Sequence, residues 1–138
     1  MVEVLDALNV NYRPDLNILF CRFVQPIPSA QLKSSYEYAL QVAQEKQVHF
    51  WLFDLRRRGP ARQEDEDWIL EKYFPRLETH RHLPNYVAYL VTPTHFAHIR
   101  EKIGMDKLQN YSSLTYIQIF DSEEKALNWL TNNQTINV

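Results

Sequence analysis

The fold is decided by His49-Phe50-Trp51-Leu52-Phe53-Asp54-Leu55, which runs into Arg56-Arg57-Arg58-Gly59-Pro60-Ala61-Arg62 and then Gln63-Glu64-Asp65-Glu66-Asp67-Trp68-Ile69. The first segment is apolar at nearly every position, so it reads as a strand covered on both faces, as in a parallel sheet flanked by helices. Gly59 and Pro60 punctuate the arginine-rich loop that follows. The run of acids then suits the first turn of a helix, where the macrodipole favours negative charge. A central strand ending in a charged loop and a helix start marks the sheet edge at which open α/β folds bind their ligands.

Working outward, Val2 to Tyr12 and Asn17 to Val24 read as strands, with Arg13-Pro14-Asp15-Leu16-Asn17 as the turn of an antiparallel hairpin. Leu32, Tyr36, Ala39, Leu40 and Ala43 recur at helical spacing, predicting a helix from a Ser29 cap to about Lys46. Val48 to Leu55 is the third strand, and a second helix starts near Gln63, kinked or ended by Pro75. Tyr86 to Val91 is the fourth strand. Thr94 is expected to cap a short helix carrying Phe96, Ile99 and Ile103, which Gly104 stops. Thr115 to Phe120 is the last strand, and Asp121 with Glu124 resembles a capping box for a final helix. The expected fold is therefore α/β, a single layered domain over residues 1–132 with a polar tail, 133–138, that should fray. Its order is β-β-α-β-α-β-α-β-α around a mixed, mostly parallel sheet.

Composition narrows the function. A chain of 138 residues suits one domain. With a formal charge of −2, neither nucleic acid nor an acidic solvating role is expected. The one cysteine, Cys21, rules out an internal disulfide and a cysteine-rich zinc site, and its place in an apolar strand predicts a buried, inert thiol. The opening residues do not read as a signal peptide, and no apolar run approaches the ~20 residues a membrane span requires, so a cytoplasmic location is expected. Gly59 and Gly104 are the only glycines, too few for a phosphate-binding loop or a dinucleotide fingerprint. No cofactor is expected.

The element order, with Phe53-Asp54-Leu55 closing the third strand and a helix opening near Gln63, resembles the STAS (sulfate transporter and anti-sigma factor antagonist) domains. The resemblance implies helices mainly on one side of the sheet and a role in binding proteins or small ligands. In the bacterial anti-sigma antagonists the helix after this strand opens with an Asp-Ser-Ser-Gly-like segment whose serine is phosphorylated. The matching stretch here, Arg62-Gln63-Glu64-Asp65, has no Ser or Thr, so no phosphorylation switch is expected. A permanently acidic residue there would mimic the modified state.

The candidate interaction edge comprises Asp54, Arg56, Arg57, Arg58, Arg62, Glu64, Asp65 and Trp68. Guanidinium groups grip oxyanions in two-pronged fashion, so the arginines could hold an anionic ligand; alternatively they pair with Glu64, Asp65, Glu66 and Asp67. Asp54 is either a general base or ligand anchor, or an acceptor for Arg57 or a backbone N–H of its own loop. The aromatics Trp51, Trp68, Tyr73, Phe74, Tyr86 and Tyr89 either line a partner surface or fill the core, with Tyr73 and Tyr89 the candidates for partial exposure. His80-x-His82 and His95-x-x-His98 have metal-ligand spacing, but nothing nearby completes a set, so ordinary surface histidines are expected. No serine sits in a nucleophile elbow, and no catalytic residue is expected. The sequence thus points to a non-catalytic regulatory module that binds a protein partner, a second copy of itself included. The alternative is a small anionic-ligand domain, conceivably an enzyme, built on Asp54 and the Arg56–Arg62 loop.

Overall fold

The computed structural model describes residues 7–78, 84–102 and 114–136. Strands β1 (Leu8–Arg13) and β2 (Ile18–Phe23) form the hairpin. The Leu16 and Asn17 N–H groups both donate to the Arg13 carbonyl, and Asn17 takes the left-handed φ of 58° that asparagine tolerates. Helix α1 (Ser29–Lys46) leads to β3 (Phe50–Asp54). Helix α2 (Gln63–Trp68) continues as a π-helical turn, Ile69–Tyr73, and a 3-10 turn, Phe74–Glu78. Then come β4 (Asn85–Leu90), α3 (Pro93–Lys102), β5 (Thr115–Phe120) and α4 (Glu123–Ile136).

The sheet order is β1-β2-β3-β4-β5, antiparallel at the hairpin and parallel thereafter. Each crossover steps to the next strand in the same direction. Right-handed connections therefore stack α1, α2 with its continuation, and α3 on one face. There Leu32, Tyr36, Ile69, Tyr73, Phe74 and Ile99 bury Leu19, Cys21, Phe23, Trp51, Phe53, Val87, Tyr89, Ile117 and Ile119. Tyr36 is the hub: it stacks on Phe53 at 5.1 Å and meets Tyr73 edge-on at 4.9 Å. Helix α4 returns alone across the other face, packing Ala126 and Leu130 on Phe50, Leu52, Ala88, Leu90 and Phe120. The hairpin end of that face carries the polar residues Asn9, Asn11 and Arg13, whose alternation with Leu8, Val10 and Tyr12 lets it face water.

Several local expectations shift by a residue or two. Ser29 does not cap α1. Pro28 occupies that place, its carbonyl taking the Leu32 N–H, and the Ser29 hydroxyl donates instead to Asp65. Thr92, not Thr94, caps α3, because its Oγ1 accepts the His95 N–H and Pro93 fills the first helical position, where a missing N–H costs nothing. Ser122 rather than Asp121 caps α4, accepting the Lys125 N–H at 3.4 Å. Pro75 neither simply kinks nor ends the helix. It has no N–H and its ring crowds the carbonyl four residues back, so the chain widens until the Phe74 N–H reaches the Ile69 carbonyl, then tightens. Tyr73 and Tyr89 are buried, not partly exposed, because both point into the aromatic hub. Helix α4 runs beyond residue 132, and the Gln134 side chain donates to the Leu16 carbonyl at 2.9 Å, tying it to the hairpin turn. The first residues of the expected first strand, His80, His82, Ile103, Gly104, Ser112 and Ser113 lie outside the described residues.

Candidate functional site

The loop after β3 is a tight turn. The Gly59 N–H donates to the Leu55 carbonyl at 2.9 Å, and Gly59 closes the turn with φ of 77°, the left-handed region that other residues enter only with strain. Arg56, Arg57 and Arg58 occupy the turn between these two residues. Their side chains consequently diverge.

Arg56 turns to the α4 face. Its guanidinium grips Asp54 with Nε at 3.0 Å from Oδ1 and Nη2 at 2.9 Å from Oδ2, while its backbone N–H also donates to Oδ1. Arg22, the register partner of Asp54 on β2, donates to Oδ2 at 2.9 Å and binds Glu123 of α4 through two contacts of 2.8 and 3.1 Å. Arg56 reaches the same Glu123 at 3.4 Å. The result is a cyclic array of two arginines and two carboxylates with no net charge. Burial pulls the Asp54 carboxyl upward, but the hydrogen bonds from Arg56 and Arg22 outweigh it and hold the group below the ordinary carboxylate range. Hydrogen bonds from Arg22 do the same for Glu123. Asp54 therefore serves its own loop, through Arg56 where Arg57 was the expected side-chain donor. Arg22 and Glu123 are absent from the candidate set. Strand pairing sets Arg22 beside Asp54, but nothing in the linear order brings α4 to it.

Arg58 turns to the opposite face and is only 6% exposed. Its Nη1 donates to the Tyr36 hydroxyl at 3.0 Å, its Nε to the Gly59 carbonyl at 3.1 Å, and its guanidinium lies 5.3 Å from the Phe23 ring centre. The Tyr36 hydroxyl also meets that of Tyr89 at 3.3 Å. Glu66 of α2 is the nearest carboxylate, with 3.9 Å between its Oε1 and Arg58 Nη2, too far for a hydrogen bond. Burial raises the Glu66 carboxyl and only part of that is offset by Arg58. His95, at the start of α3, is 3% exposed with neither ring nitrogen hydrogen-bonded. Burial first, and the charge of Arg58 second, lower its pKa to about 4, so it is neutral at pH 7.

The remaining members lie apart. Arg57 and Arg62 are exposed; Arg62 faces Glu64 at 3.5 Å across a solvated contact of small energetic value. Asp65 is buried and receives the Ser29 hydroxyl at 2.7 Å, joining the starts of α1 and α2. Trp68 is half-buried against Tyr36 and Tyr73, with the Lys33 ammonium 5.7 Å above its ring. It lines an open groove of about 640 Å³ together with Lys33, Glu37, Tyr38 and Arg76, and the last of these pairs with Glu37. The acids thus answer only part of the arginine charge: Arg58 approaches Glu66, Arg62 meets Glu64, and Asp67 instead takes the Gln63 amide. Cys21 is buried with its thiol pushed up by desolvation, which makes it inert.

Among the described residues no group of His, Cys, Asp or Glu side chains is placed to hold a metal ion, and no helix is long and apolar enough to cross a membrane. No protein-family model matches the chain, and no curated protein or solved structure matches it either.

Proposed function

We propose that this chain is a non-catalytic, STAS-like regulatory module of the cytoplasm, and that it binds a protein partner through the 55–62 loop and the first turn of α2. The observation carrying this reading is the divergence of the loop arginines. A clamp for a small ligand needs guanidinium groups that converge with their charge uncancelled. Here Arg56 is matched by Asp54 and Glu123, Arg58 is buried on the other face, and Arg57 and Arg62 extend into solvent from a turn fixed by Gly59. Exposed arginines on a well-anchored loop suit an interface, where arginine is enriched at the energetic centre. Asp54 makes a poor general base in this setting, because Arg22 and Arg56 already occupy both of its oxygens.

The test compares proteins retained from source cells by the tagged wild type and by an Arg57→Glu, Arg62→Glu double variant of equal thermal stability. One or a few species retained by the wild type and lost by the variant is the expected result. Identical retention by both would remove the loop from the interface. A second copy of the chain as the lost species would identify the partner as self.

A further inference from the structure

The open groove beside α1 combines room, a flat aromatic wall and one unmatched charge. Its volume of about 640 Å³ lies within the range of roughly 300–1,000 Å³ that small-molecule sites occupy. Residues of α1 form one side; Trp68, at the end of α2, and Arg76, in the 3-10 turn, form the other. The core fixes Trp68 in place. Its indole lies 5.7 Å from the Tyr73 ring and meets the Tyr36 ring edge-on at 6.2 Å, and both tyrosines are fully buried. The half-buried indole therefore presents a preset surface to the groove.

Three charged side chains line this groove: Lys33, Glu37 and Arg76. Glu37 and Arg76 pair with each other. Lys33 has no carboxylate partner among the described residues, and its ammonium stands 5.7 Å over the Trp68 ring. One positive charge is thus left over, and it sits beside the flat wall. Tyr38 and Gln41, whose hydroxyl and amide have no hydrogen-bond partner among the described residues, follow along α1.

These features select one kind of occupant. An indole wall favours a planar aromatic ring, which stacks on it in offset geometry. A single unmatched ammonium favours a single negative charge. A second negative charge would be repelled by Glu37, which disfavours polyphosphates and dicarboxylates. An aliphatic acid would satisfy Lys33 but leave the indole unused.

We propose that this groove is a binding site for a small aromatic monocarboxylate, its ring laid against Trp68 and its carboxylate paired with Lys33. The flexible four-carbon stem of Lys33 lets the ammonium swing from the indole to the carboxylate as the ring takes its place. Arg57 and Arg62 are not among the lining residues, so the site does not depend on the protein-binding reading.

The experiment is proton–nitrogen NMR of the three indole N–H signals of the purified chain, titrated with naphthoate. Trp68→Phe assigns the Trp68 signal. Trp51, fully buried, and Trp129, which packs on Phe120 across the sheet, are internal references. The expected result is a saturable shift of the Trp68 signal at millimolar concentration or below, with Trp51 and Trp129 unmoved. Naphthamide lacks the charge and cyclohexanecarboxylate lacks the flat ring, so each should bind about tenfold more weakly. Lys33→Gln should weaken naphthoate about tenfold and leave naphthamide unchanged. Because Lys33 is exposed, the variant keeps its fold, which unchanged Trp51 and Trp129 signals verify. The absence of a saturable shift at Trp68 would overturn the proposal. So would equal affinity for naphthoate and either control, or naphthoate binding that Lys33→Gln does not alter.

Discussion

Arg56 and Arg58 flank Arg57 in a single turn, yet they lie on opposite faces of the sheet: Arg56 locks Asp54 and Glu123 beneath α4, and Arg58 reaches Tyr36 beneath α1. The loop is thereby pinned from both sides. At its crest Arg57 is exposed to solvent. This geometry fixes the arginine-rich segment and matches the charge of Arg56 to Asp54 and Glu123.

Asp54 should be the structural keystone of that arrangement. Asp54→Asn keeps the shape of the side chain but removes the charge that Arg22 and Arg56 share, at an expected cost of about 1–3 kcal/mol. Urea unfolding measures it. Because the Asp54 carboxyl lies below its ordinary range when folded, its contribution is present at neutral pH and disappears as pH falls below about 4. The variant should therefore lose less stability than the wild type in that acid range. An equal loss would show that Asp54 titrates as if unpaired.

His95 makes a separate pH prediction. Its folded pKa of about 4 lies below the unfolded value of 6.5, so the unfolded chain takes up the proton more readily. Stability is full above pH 6.5 and declines as pH falls toward 4, by at most about 3 kcal/mol. The groups around it are Arg58 from the loop and His98 from its own helix, with Glu66 of α2 closest to Arg58 and His98. Urea midpoints measured between pH 7 and pH 4 should slope less in His95→Gln than in the wild type. Parallel slopes would mean that the imidazole is not held neutral by burial.

Gly59 tests the turn itself. A Cβ at this position meets no atom within 4 Å, so Gly59→Ala carries backbone strain and no clash. The expected loss is about 1 kcal/mol. Hydrogen exchange at the Gly59 amide should accelerate, because that N–H closes the turn onto Leu55. A neutral substitution with unchanged exchange would mean that the left-handed conformation is not maintained in solution.

The strands and helices were legible because their signals are local. The apolar run from Phe50 to Phe53, the recurrence of Leu32, Tyr36, Leu40 and Ala43, and the turn at Arg13–Asn17 each follow from periodicity and turn chemistry. Caps were less legible. At Thr92 and Ser122 an adjacent hydroxyl or carboxylate competes for the same N–H groups, and only the entry angle of the chain decides between them. The candidate site was visible as a segment but not as a geometry. Arg22 and Glu123 join Asp54 through register and through the return of α4, which are long-range facts. The burial of Arg58 depends on the positive φ of Gly59 and on the Tyr36 hydroxyl below it. His95 read as an ordinary surface histidine but is buried, because the sequence does not reveal that the start of α3 comes close enough to the loop for the Arg58 charge to act on it.

The most direct test of the account is in-cell photo-crosslinking with a photoreactive residue at position 57, compared with the same residue at position 45, an exposed site at the far end of α1. The account predicts a discrete adduct of defined mass from position 57 and none from position 45. No adduct at position 57, or the same ladder from both positions, would contradict the claim that the loop crest is a protein-binding surface.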